Sequence, residues 1–187
     1  MIHDFEQQIQ NDLHHYLLAQ SETEERLPDA PDIEDRWEVI AQAYMADGIR
    51  EFTDYPTVSL GWMMYVGMAV AQLWDKDWAR YGAAPNLYTL LRAPRGYDAM
   101  DEHIREDILH LSPAAAPAEG QKQNAYAALE SLVGECAART YSRLRHSGYE
   151  PGTKDAFQAY VACLHQLYLM GAAVQLRRLG YKMTKVS

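Results

Sequence analysis

The chain lacks most of the features that would assign it to a class at once. It has no run of 18 apolar residues. The longest stretch, LGWMMYVGMAVAQLW, contains Gln72 and is followed by Asp75, Lys76 and Asp77. It is too short and too closely bracketed by charge for a spanning helix. The opening MIHDFEQQIQND has neither a basic start nor an apolar core, so no signal peptide is expected. Cysteine is scarce. Cys136 and Cys163 sit in apolar helical patterns without CxxC spacing, which predicts buried free thiols in a reducing compartment and a cytoplasmic protein.

Strand signals are also missing. No six residues alternate apolar and polar, no Asn-Gly pair occurs, and the Asp47-Gly48 pair falls within helical spacing and marks no hairpin. Positive charge is in deficit, with 17 Lys and Arg against 26 Asp and Glu and a net charge of −9. That excludes general nucleic-acid binding and attraction to anionic membranes. The deficit lies in residues 1–112, where eight basic residues meet 21 acidic ones for a net of −13, whereas residues 113–187 carry +4. Such asymmetry can hold two halves or two subunits together, or mark two solvated faces. Gly-x-Ser-x-Gly, P-loop, dinucleotide-binding and His-Glu-x-x-His patterns are all absent.

Helical spacing is what the chain does contain. Its 187 residues are 48% hydrophobic and 23% charged, enough for one core without disulfides or metal. The spacing predicts an all-α fold: a single domain over 1–187 built as a bundle of about six main helices. The first covers about 2–20, with Ile2, Phe5, Ile9, Tyr16 and Leu17 on one side. The second starts at Pro31 and carries a stripe of Trp37, Ile40, Ala41, Tyr44, Met45, Gly48, Ile49 and Phe52. The third runs from about Pro56 to Tyr81, with Gly82 past its end. Asn86 caps a short helix, LYTLLR. A fourth helix contains residues 101–110, a fifth spans about 120–147 and a sixth about 154–179. Gly148, Pro151 and Thr153 mark the turn between the last two, which are expected to form an antiparallel hairpin.

Two segments, about 57–75 and 156–176, are apolar on nearly all sides and are therefore expected at the centre. Each holds a glycine, Gly67 and Gly171, whose cost in helix propensity close helix approach could offset. GMAVAQL and GAAVQL are alike but too short to establish an internal repeat. Cys136 and Cys163 lie equally far from the hairpin turn, so they are expected at one level, both buried, without a disulfide.

The stretch DEHIREDILH (101–110) is the most suggestive for chemistry. On a helix of about 100° per residue, Tyr97, Met100, Ile104, Ile108 and Leu111 face the core. His103, Asp107 and His110 form a second stripe along its border. Asp107 and His110 have the carboxylate-x-x-histidine step that supplies two metal ligands in some bundles. Asp12 and His15 in the first helix have the same step, but the central segments carry no carboxylates within their apolar runs. The stripe therefore reads as a solvated helix border. No metal or cofactor is expected, with His103, Asp107 and His110 as the alternative, a mononuclear metal enzyme completed by His14, His15 or His165. His165 reads as a core histidine with its ring nitrogens hydrogen-bonded.

Thirteen tyrosines and four tryptophans give a different hint. Trp74, Trp78 and Tyr81, one turn apart, read either as the end of the core or as a protein-contact patch. The leading expectation is a non-enzymatic interaction or regulatory module that self-associates, as a twofold dimer, through such a surface. A small apolar ligand held between the central helices is a further alternative.

Overall fold

Helix starts follow the capping chemistry written in the chain. A computed structural model describes residues 2–54 and 56–182, with side chains described outside 49–56. Every regular element among them is helical. In chain order these are α1 (Ile2–Ala19), α2 (Pro31–Glu34), α3 (Trp37–Asp54), α4 (Pro56–Tyr81), α5 (Leu87–Arg92), α6 (Met100–His103), α7 (Ala125–Arg145) and α8 (Lys154–Arg178). Asn86 accepts from the Tyr88 and Thr89 N–H groups, Asn124 from Ala127 and Thr153 from Ala156. Each cap supplies an acceptor for N–H groups that have no partner in the first turn.

The helices pack round one core. Phe5, Ile9, Leu13 and Leu17 form the buried face of α1 at four-residue steps, while Ile2 and Tyr16 are only partly buried. α4 and α8 are central, as their apolar surfaces require. Their contacts advance together along both helices. Tyr160 bonds to Ser59 near the start, Gly67 meets Tyr168 and Gly171 meets Met64 at the crossing, and Gln175 bonds to Gln72 farther on. The two central helices therefore run parallel. α7 touches α8 but lies more extensively against α4, and α1 packs on α8. Leu129, Leu132, Val133, Cys136 and Thr140 form the inward stripe of α7, and both cysteines are buried free thiols. Among the described residues α8 is the one helix long and apolar enough to cross a membrane, and most of it is buried within the bundle.

Three boundaries differ from the sequence expectation. The second helix is broken: α2 is a single turn, and α3 starts afresh at Trp37. Ile33 and Trp37, on either side of the break, both reach the core, at 1% and 8% exposure. The side chains of Ile49 and Phe52, placed on its apolar stripe, lie outside the described residues. α7 begins at Ala125 rather than near 120, because Asn124 is extended and caps it. The same asparagine donates to the carbonyls of Pro113 and Ala115, so the cap also pins the preceding loop. The fourth helix has only four α residues and continues as a π-helical turn over Ile104–Ile108.

Candidate functional site

The π turn rearranges the suggestive stretch. The Leu109 N–H donates to Ile104 O across five residues, and the Leu111 N–H to Arg105 O. The helix thus ends earlier than an α-helical wheel assumes. His110 falls past its end in the left-handed region, at φ 59°, exposed to solvent. Met100 and Ile104 are fully buried and Tyr97 nearly so, so the apolar stripe is where the spacing put it.

The structure brings His103 and Asp107 together and leaves His110 apart. His103 is 7% exposed rather than a solvated border residue, and its Nδ1 lies 2.8 Å from Asp107. Arg95 reaches Asp107 at 3.1 Å and Glu106 at 3.3 Å. The hydrogen bond from His103 and the charge of Arg95 hold the Asp107 carboxyl below its ordinary range. A carboxylate-oriented histidine is the arrangement of a general base. The chemistry also needs a cleft beside it. A cleft of about 510 Å³ lies elsewhere, between the start of α1 and the end of α7, with Asp4, Gln8, Arg143 and His146 on its walls. Among the described residues no group of three or more His, Cys, Asp or Glu could hold a metal ion.

Sequence reasoning missed Arg105. Its guanidinium is 3% exposed and sits 4.1 Å from the Tyr126 ring centre and 5.3 Å from that of Tyr65. It donates at 2.8 Å to both Asp101 and Glu130. Burial raises the Asp101 pKa, against the pull of Arg105. The i,i+4 spacings Asp101–Arg105 and Tyr126–Glu130 were legible as neighbours on two helices. That the two pairs meet was not.

A second ionic joint is centred on His165. Its Nδ1 lies 3.0 Å from Glu6 of α1 and its Nε2 2.9 Å from Glu34 of α2. The ring stacks on Trp37 of α3, centroids 4.8 Å apart. The expected hydrogen-bonded histidine is present, but its partners are two carboxylates from distant parts of the chain. Burial alone would lower its pKa. The hydrogen bonds and charges of Glu6 and Glu34 outweigh burial, and the pKa is raised. Glu6 in turn is lowered, chiefly by its bond to His165.

Buried tyrosines tie further helices. Tyr44 donates to the Ser59 carbonyl, Tyr88 to Asp47, and Tyr168 to the Ile33 carbonyl at 2.7 Å. Arg92 completes the Asp47 group at 3.2 Å.

The aromatic patch is interrupted. Asp77 leaves helical geometry, and its side chain accepts the Arg80 N–H, starting a separate last turn. Trp74 therefore sits on one side of a kink and Trp78 and Tyr81 on the other. All three are partly buried against the core. Trp74 donates to Asp32 and meets the Tyr181 ring edge-on at 5.3 Å, Arg36 lies over Trp78, and Arg80 over Tyr81.

Fold and joints together define an all-α bundle with parallel central helices, laced by ion pairs and tyrosine hydroxyls. No family model, no curated protein and no solved structure matches the chain.

Proposed function

We propose that the protein is a non-enzymatic helical interaction or regulatory module, cytoplasmic, that works as a homodimer. The observation that carries this reading is how its chemically able side chains are used. His165, Arg105 and Asp47 each bond to a group on another helix. They act as struts, and struts make a rigid surface for a partner.

Trp74, Trp78 and Tyr81 are the proposed contact surface. Large rings held in place by internal partners, with part of each at the surface, suit an interface: Trp and Tyr supply much contact area at little entropic cost. The two buried free thiols fit a reducing compartment. Sedimentation at micromolar concentration tests the reading. The wild type is expected as a dimer, and Trp78→Ala combined with Tyr81→Ala as a 21.3 kDa monomer. A wild type that sediments as a monomer at every concentration overturns it.

A further inference from the structure

Residues 20–36 form a strap across the bundle. It leaves the end of α1, passes over α8 and enters α3. Six ties hold it: Glu22 to Arg178, the Glu24 carbonyl to His14, Asp32 to Trp74, the Ile33 carbonyl to Tyr168, Glu34 to His165, and Arg36 to the Gly82 carbonyl. Four of these ties have an arginine, a tryptophan N–H or a tyrosine hydroxyl as donor. The His14 bond to the Glu24 carbonyl needs a single ring N–H, which neutral imidazole and imidazolium both have. The joint at His165 is different, because it uses both ring nitrogens.

We propose that His165 is a doubly protonated latch that clamps the strap onto α8 and loosens it as pH rises. The argument is one of donors and acceptors. An ionised carboxylate only accepts hydrogen bonds, and a neutral imidazole has a single N–H. Here both ring nitrogens face carboxylate oxygens, at 3.0 Å and 2.9 Å. Both bonds exist together only on the imidazolium. The raised pKa of His165 and the lowered one of Glu6 agree with a charge located on the ring.

The groups around the ring are few. Glu6 faces it from α1, with His3 acting on Glu6 at longer range, and Glu34 faces it from α2. The uncharged Trp37 ring covers it from α3. On α8 itself, Gln166 helps to lower the pKa of Glu6, and Tyr168 lies within reach of the charges of Glu34 and Arg36. Among the described residues no lysine or arginine pairs with either carboxylate at the ring.

Loss of the proton sets a nitrogen lone pair against a carboxylate. The bond that yields is the one to Glu34, whose side chain is 43% exposed against 27% for Glu6 and can take its hydration from water. Glu34 ends α2, so the turn loses one of its three ties and keeps those of Asp32 and Ile33. Two apolar grooves, of about 160 and 190 Å³, flank this turn and share Pro28, Ala30 and Ile33 along one edge. Loosening joins them and uncovers the α8 surface at Met170 and Ala173, while the remaining ties keep the movement local.

The test uses the full chain and two NMR readouts: the ring titration of His165, assigned with His165→Gln, and amide exchange corrected for its intrinsic pH dependence. His165 is expected to titrate above 6.5, its ordinary value. The amides of Ile33, Glu34 and Asp35, which bond within α2, should lose protection over the same pH range. Those of central α8 should not. Glu34→Gln offers an amide that can donate to the neutral ring, so it should lower the His165 pKa and abolish the pH step in the strap. A His165 titration at or below 6.5, exchange in α2 that is flat across it, or an unchanged step in Glu34→Gln each overturns the latch.

Discussion

Gly67 and Gly171 each fill a place against the other's helix that no side chain could occupy. A Cβ on Gly67 would fall 2.0 Å from the Tyr168 carbonyl oxygen, and one on Gly171 would fall 2.1 Å from that of Met64. Each glycine thus packs on the carbonyl three residues before the other. The contact is reciprocal and lies backbone on backbone, so neither neighbour can turn aside. Close approach of α4 and α8 is the gain that offsets two glycines in helix interiors.

Gly67→Ala and Gly171→Ala should each destabilise the fold by about 3 kcal/mol, the upper end of overpacking costs. Gly134→Ala is the control. It lies on the exposed side of α7 with open space around its Cβ position, and should stabilise by up to about 1 kcal/mol through helix propensity alone. Urea denaturation of the three variants reads the difference. Equal effects at Gly67 and Gly134 would show that the crossing is looser than described.

Arg105→Met should cost roughly 3 kcal/mol, because it leaves Asp101, with a side chain 14% exposed, without its cation. Arg105→Lys should recover little of this, since an ammonium cannot span both carboxylates and lie flat between two tyrosine rings. A lysine variant as stable as wild type would show that charge alone matters there.

The two histidines of the suggestive stretch should behave differently. His103→Ala removes a buried ring and its bond to Asp107, and should cost about 1–2 kcal/mol. His110→Gly should be neutral or stabilising by up to about 1 kcal/mol, because a side chain in left-handed backbone is strained. Equal losses at the two positions would favour a shared role. Metal bound stoichiometrically and lost on either substitution would restore the metal reading.

The His165 joint gives stability a definite pH dependence. The raised histidine contributes fully below its ordinary 6.5 and loses its contribution as pH rises through the folded value. The lowered Glu6 contributes fully above its ordinary 4.5 and loses it as pH falls through the folded value. The stability gap between wild type and His165→Gln should therefore be widest between those two ordinary values and shrink on the alkaline side. Denaturation midpoints across the range measure it, and a gap that grows with rising pH would contradict the assignment.

Thiol labelling checks the core. Burial pushes the Cys136 thiol up to about 12 and that of Cys163 higher still. Neither should react with a thiol reagent in the folded protein at mildly alkaline pH, and both should react at once in denaturant. Rapid labelling of either in the native state would place it near the surface.

The sequence by itself determined the helices, their caps and which of them are central. These are local properties. Asn86 and Thr153 cap from within a few residues of their targets, and a segment apolar on every side, such as 156–176, must be surrounded whatever surrounds it. The inward stripe of α7 and the burial of both cysteines were legible for the same reason. Tertiary structure alone decided how the helices meet. No periodicity reveals that α4 and α8 run parallel, or that Glu6 and Glu34 converge on His165 from 159 and 131 residues away. A carboxylate on a helix border looks the same whether it faces water or an imidazole. The π turn that separates His110 from His103 was hidden likewise. A wheel assumes a fixed winding, while the backbone takes whichever winding buries Ile104 and the stem of Arg105 at small cost.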